Sequence, residues 1–435
     1  MNRDQRAEPN FRRAALAVAG LALALGLAAC GGGGGNGPGS KRLSLVIGNS
    51  LPLSGTSRAL GESGQKASDL AVREIRQAIE TTGADHTVRT TSEDQGPDSD
   101  TATASATKLV NDEGASCLTG PWSADAVTQT ANDIVIPAKV LEISPVPAGP
   151  DVADLNDHDL VNSTALPESV EGSALSDAIE RDLGAAQGHR VNVATGGGSY
   201  GDSLSQDFIQ DWQDKDGTLG GQTRLVPPYS GQADQITAGD PDAIMLADDL
   251  DGFSQLAPTL PSSSGWDPGI AWGSDQLVSP GLPAQVGPAA IDGMRALAPG
   301  APAGAAASRA FAAAFRSAGP RDVPAEPFAA QEFDATVLCY LAAVAAGSTD
   351  GQEMADRLID ITAPGGDQFT WQQLPEAIKA LEDGKDIDYT GASGPIDMDV
   401  HGDPTAGVFD VYRYTANGLE VAGEIPAEKP NPVTP

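Results

Sequence analysis

LSLVIGNSLPLSGTSRALGESGQKASDLAVREIRQAIETTGADHTVRTT, residues 43–91, runs from an apolar stretch through a long helical period into a second strand-like stretch. Residues 43–47 are apolar apart from Ser44, as a buried strand requires. Across 63–79, Ala67, Leu70, Ala71, Ile75 and Ile79 recur every three to four positions and draw one stripe along a helix. Residues 87–91 then read as a strand, giving β-α-β. The rhythm continues with a helix at 102–110, a strand at 116–119, a helix at 126–135 and a strand at 140–143. Parallel strands need such crossovers, so the expectation is an open, doubly wound α/β sheet.

A second series opens near Ser169, with helices at 169–182 and 204–214 and strands at 191–195, 223–226 and 243–247. It predicts a second lobe of similar build. Residues 288–350 return to helix, Ala-rich at 305–315 and amphipathic at 333–346. Residues 396–411 alternate like an antiparallel pair with Gly402-Asp403 in the turn, and the Pro-rich stretch 424–435 is expected to be disordered.

The N-terminal end reads as a lipoprotein export signal: Arg12-Arg13, an apolar run at 14–27, then Leu27-Ala28-Ala29-Cys30. About 14 apolar residues fall short of the roughly 20 that span a bilayer, which argues against a single-pass anchor. Residues 1–29 are expected to be removed and Cys30 lipidated, with 30–40 a Gly-rich tether. The arginine pair also fits the start of a twin-arginine signal, whose remaining pattern is missing. The chain carries a net charge of −34, and loss of four arginines and two acids with the signal takes it to −36. Such a surface repels phosphate backbones, so no nucleic-acid partner is expected, and membrane attachment must come from the lipid. Cys117 and Cys339 are read as two buried thiols, with a disulfide as the alternative. The four histidines are scattered, and no metal site or cofactor is implied.

Five stretches, taken together, resemble a known family. They are Gly48-Asn49-Ser50-Leu51-Pro52-Leu53-Ser54-Gly55, the segment 94–109, Gly120-Pro121-Trp122-Ser123, Ile143-Ser144-Pro145 and Ser199-Tyr200-Gly201-Asp202. Glu332-Phe333-Asp334-Ala335 and the segment 391–403 extend the match. The pattern resembles the type I periplasmic-binding fold, in the leucine/isoleucine/valine-binding branch of ABC transporter substrate-binding proteins. The resemblance implies two doubly wound three-layer (αβα) lobes joined by a three-stranded hinge. Lobe 1 would comprise 41–165 plus 288–390, and lobe 2 would comprise 166–287 plus 391–423.

The resemblance also implies a ligand site between the lobes. Ser123, flanked by Trp122 and Ala124, falls where the family supplies a hydroxyl to a ligand carboxylate, although a serine there serves equally as a helix cap. Val146 and Ala148 stand where amino-acid binders offer further donors, and the missing hydroxyl with Pro147 between them weakens the case for a free carboxylate. Tyr200 matches the pocket tyrosine. Asp275 falls where an acid meets the ligand ammonium, with an Asx-turn as the plainer role. Asp249 replaces a common pocket aromatic and favours a cationic or polyhydroxyl ligand, unless it is simply part of a solvated acidic face. Leu60 and Trp122 would supply apolar walls.

The function this implies is an exported, lipid-anchored binding protein of an ABC importer. It would trap a small polar ligand, such as an amino acid, amide or amine, by hinge closure, and would pass it to permease subunits. The alternative is a ligand-sensing receptor using the same clamp. An enzyme is not expected, because Gly196-Gly197-Gly198-Ser199-Tyr200 lacks both the phosphate-loop Lys and the nucleophile-elbow order.

Overall fold

Fourteen strands among the described residues, gathered into two large sheets and one small one, account for the alternation read along the chain. The computed structural model describes residues 41–430 apart from 148, 154, 230, 321, 322 and 417. The export signal, Cys30, the tether and residues 431–435 lie outside the described residues.

The first sheet is wholly parallel, in the order β2 (His86–Asp94), β1 (Leu43–Leu51), β3 (Cys117–Thr119), β4 (Leu141–Ser144), β5 (Val161–Ser163). The second runs β14 (Gly418–Glu428), β13 (Ala406–Thr415), β10 (Arg295–Pro299), β9 (Ala271–Gly273), β8 (Ala243–Ala247), β6 (Arg190–Thr195), β7 (Thr218–Arg224). Numbered by appearance within it, its strands β6 to β10 repeat the 2-1-3-4-5 order of the first sheet. Each half is therefore one doubly wound unit, and each has its switch point beside its first strand. A small parallel pair, β11 (Asp367–Thr370) and β12 (Ile387–Thr390), completes the strands.

Local chemistry explains these elements. β1 lies between β2 and β3, and the side chains of Leu43, Leu45 and Ile47 are buried in the core against the sheet, as a central parallel strand requires. The helix Arg58–Thr82 buries the predicted stripe and ends at Gly83. There, a left-handed φ of 73° lets the backbone N–H turn back to the Ile79 carbonyl at 2.9 Å. Helix Ala329–Ala346 is buried on nearly every face, because it lies between the Arg58–Thr82 helix and strands β1, β3 and β4.

Three sequence expectations are corrected. Cys117 on β3 and Cys339 on the Ala329–Ala346 helix form a disulfide with Cα atoms 5.9 Å apart, not two free thiols. They are 222 residues apart in sequence, so only the tertiary fold brings them together. Residues 295–299 form β10 within the second sheet, so the chain leaves that sheet after Pro299 rather than near Gly287. This apolar run is too short to stand out from the Ala-rich helix that follows. Finally, the antiparallel hairpin is β13–β14 at 406–428; of the expected 396–411 pair, 406–411 belong to β13 and the stretch before them forms only the Met398–Pro404 bridge. Residues 424–428, expected to be disordered, are strand. Pro426 disguised them, but β14 is the sheet edge, where a missing N–H costs no ladder bond.

Closing a loop of this length, the disulfide restricts the unfolded chain, and the mature fold is expected to lose about 2–4 kcal/mol without it. Urea denaturation of Cys117→Ala/Cys339→Ala, beside the reduced and oxidised parent, measures this. Coincident transitions for all three would remove the bridge from the stability account.

Candidate functional site

The carboxyl ends of both sheets open onto one cleft of about 440 Å³. From the first sheet, the loops after β1, β2, β3 and β4 contribute Ser54, Gln95, Trp122 and Val146. From the second, the loops after β6, β8 and β9 contribute Tyr200, Asp248 and Asp275. Both switch points thus face the same space, where an open α/β sheet leaves its backbone crevice.

Of the predicted residues, Leu60, Trp122, Ser123, Ala124 and Val146 line the first-sheet side, and Tyr200, Asp249 and Asp275 line the other. Ala148 lies outside the described residues. Ser123 caps the helix Ala124–Thr130, its Oγ accepting from the Ala126 N–H at 3.4 Å, so the hydroxyl proton remains available to the cleft. Asp249 is likewise a cap: its Oδ1 accepts from the Gly252 N–H at 2.6 Å. Sequence reasoning missed its neighbour Asp248, which is the buried acid of the pair, at 6% exposure.

The second-sheet floor is a chain of buried polar groups. The Tyr200 hydroxyl donates to Asp275 Oδ1 at 2.7 Å, and the Asp275 backbone N–H donates to Glu171 Oε1 at 2.7 Å. Glu168, at the start of the helix Glu168–Leu183, is 1% exposed, and neither of its carboxylate oxygens has a partner. Burial, with the like charges of Asp275 and Asp125 adding to it, pushes the Glu168 carboxyl up to about 9. Burial holds Asp275 at about 6 against the lowering bond from Tyr200, and lifts Asp248 to about 7 with Asp249 adding repulsion. Glu171 is driven well above the carboxylate range by the same desolvation.

The apolar wall is Leu60, Trp122, Val146 and Phe328, with the Trp122 and Phe328 rings edge to face at 5.9 Å. Gly64 sets how deep Trp122 sits, since a Cβ there would come within 2.5 Å of the indole. Gln95 Oε1 accepts from the Trp122 N–H at 2.8 Å and fixes the loop. Phe328, unforeseen in the sequence, holds a left-handed φ of 67°, costly for a bulky residue and tolerated where surrounding packing enforces it. Across the mouth, Thr56 Oγ1 donates to Asp251 Oδ1 at 3.2 Å and ties one side to the other. Seven carboxylates and no Lys, Arg or His line the cleft among the described residues. The site suits a polar ligand with positive charge.

Two doubly wound units that share one cleft at their strand ends define a binding protein of the open-sheet, two-lobed class. Residues 44–417 match the family described as periplasmic binding protein, and the chain belongs to that family. Its fold is the type I fold of the leucine/isoleucine/valine-binding branch. The leucine-binding protein LivK of Thermotoga maritima is 19% identical with a TM-score of 0.66, the match covering 88% of this chain and 98% of that one. LivJ of Streptococcus pneumoniae, solved in complex with isoleucine, is 18% identical with a TM-score of 0.68, covering 88% and 99%. Among curated proteins, the chemotactic signal transduction system substrate-binding protein BasB of Halobacterium salinarum is 26% identical over 383 residues, 86% of this chain and 88% of the relative. The family implies an extracytoplasmic location. Among the described residues no helix is long and apolar enough to cross a membrane.

Proposed function

We propose that the chain is the lipid-anchored solute-binding protein of an ABC importer, tethered through Cys30, capturing a small polar ligand by closure of its two lobes and passing it to permease subunits. It makes and breaks no covalent bond in the ligand. The observation that carries this reading is the shared cleft, built from the strand ends of both sheets and lined, among the described residues, by carboxylates with no Lys, Arg or His. The chain passes between the sheets after β5, after β10 and before β13, and three such crossings suit hinge closure. Trp122, Phe328 and Leu60 cover the ligand's apolar part, Ser123 offers a hydroxyl, and Tyr200 with Asp275 meets its nitrogen.

A thermal-shift panel of amino acids, amides and amines tests it, since a ligand that binds only the folded state raises the melting temperature by mass action. Asp275→Asn is expected to weaken amine ligands by about 10–100-fold, the worth of one charged hydrogen bond. Unchanged affinity for every amine in the panel would remove Asp275 from the site.

A second reading is favoured by the likeness to BasB: the same clamp reports its ligand to a signalling partner. Deletion of the gene separates the two. Lost solute uptake with intact tactic swimming decides for import, and the reverse decides for sensing.

A further inference from the structure

Two carboxylates in the cleft are built for a ligand rather than for the fold. Glu168 lines the cleft at 1% exposure yet leaves both oxygens unpaired, which costs free energy in the empty protein. The glycine at 149 leaves room beside it: a Cβ there would lie 3.3 Å from Glu168 Oε1 and 3.4 Å from the Ala124 Cβ. Asp248 is the second. Its Oδ1 accepts only from the Asp249 N–H at 3.0 Å, and its Oδ2 has no partner. Glycines flank it on both sides. A Cβ at Gly196 would collide with Oδ1, and one at Gly252 would fall 2.7 Å from Oδ2.

These acids have different surroundings: Glu168 lies beside Gly149 and Ala124, whereas Asp248 lies between Gly196 and Gly252, so we treat them as two poles of the cleft. Between the poles the cleft offers the Leu60, Trp122 and Phe328 wall, against which methylene groups pack. A ligand carboxylate would enter a space lined by acids with no cation to meet it. A permethylated ammonium would bring charge but no N–H, leaving the Glu168 oxygens as unpaired as before.

Resting on the solute-binding reading above, we infer that the ligand is a linear organic dication of the diamine and polyamine class, one N–H-bearing nitrogen at Glu168 and Asp275, the other at Asp248. The diamine's two nitrogens supply the donors these buried acceptors lack, and its charge balances the acids on closing.

Isothermal titration of the detergent-solubilised full chain at low salt tests this with 1,4-diaminobutane, 1,5-diaminopentane, butylamine, a bis-trimethylammonium alkane and leucine. A diamine is expected to bind at least about 10-fold tighter than butylamine, and the permethylated dication to show no binding, since each pole contributes a charge-assisted hydrogen bond. Glu168→Gln and Asp248→Asn should each weaken the diamine by about 10–100-fold, with butylamine losing affinity in only one of them. Glu168→Gln should also raise the melting temperature of the free protein, which shows that the variant folds and separates recognition from scaffolding. Equal affinity for butylamine and diamine, or a diamine insensitive to both variants, overturns the inference. Leucine binding without any diamine response overturns it and leaves the solute-binding reading standing; no binding by any member overturns both.

Discussion

Asp334→Ala is expected to destabilise the fold by about 3–5 kcal/mol, because the side chain is a fully buried hub that several donors depend on. Its Oδ1 accepts from the Tyr389 hydroxyl at 3.0 Å and from the Ala392 N–H at 2.7 Å. Its Oδ2 accepts from the Ser393 N–H at 2.7 Å and the Ser393 hydroxyl at 2.6 Å. Truncation leaves these donors buried and unpaired at one stroke. The bonds run from the central Ala329–Ala346 helix to the segment where the chain leaves β12 for the last crossing, so the hinge loosens together with the core. Gly391 belongs to the same device, since any Cβ there would collide with the Asp334 carboxylate. Urea denaturation checks the loss, and Asp334→Asn, which keeps one acceptor but turns an amide toward donors, should fall between the parent and the alanine variant. A drop below about 1 kcal/mol for the alanine variant would show that water or local rearrangement satisfies those groups.

The same hub shows what could be read in advance. Glu332-Phe333-Asp334-Ala335 was visible as a family-like helix, but nothing in the sequence tells that Asp334 faces residues 389–393. The β-α-β alternation was legible because buried stripes such as Ala67, Leu70, Ala71, Ile75 and Ile79 leave a period that few other arrangements produce. The sheet order was not, because pairing of β1 with β3 is a long-range choice with no local signature. Tyr200 and Asp275 were singled out through resemblance, and the structure adds the hydrogen bond that joins them. Glu168 and Asp248 were missed for a plain reason. With 60 acids in the chain, a glutamate at a helix start looks like an ordinary response to the helix dipole, and an Asp-Asp pair looks like surface. Only burial distinguishes them. Asp249 illustrates the converse: sequence singles it out, and it lines the cleft together with Asp248, but capping and burial give the two neighbours different surroundings.

Stability of the ligand-free protein is expected to fall as pH rises from about 5 to 9, the reverse of the usual loss on acidification. Buried Glu168, Glu332 and Asp248 have carboxyls raised to about 9, about 8 and about 7, each chiefly by desolvation. A folded-state value raised above the unfolded one means that the native chain holds more protons than the unfolded chain across this interval. The linkage slope is then negative: stability is full below the unfolded values of 3.8 to 4.5 and is lost as pH climbs through the folded ones. A tenfold difference in proton affinity between folded and unfolded chain corresponds to about 1.4 kcal/mol, so three such groups make the decline several kcal/mol even after water penetration relieves part of it. Lys215 and Lys429 are raised as well, but they act only at higher pH. Of the three acids, Glu168 holds its proton to the highest pH, so Glu168→Gln should make the whole decline shallower and flatten it most near its alkaline end, while Asp248→Asn acts only below about pH 7. A bound amine cation favours the ionised carboxylates, and its affinity should therefore strengthen over the range in which the free protein weakens. Melting temperatures across this range, with and without amine, measure both slopes. A free protein whose melting temperature stays level or climbs as pH rises would mean that these carboxyls are not held protonated by burial, and the electrostatic account of the cleft would fail with it.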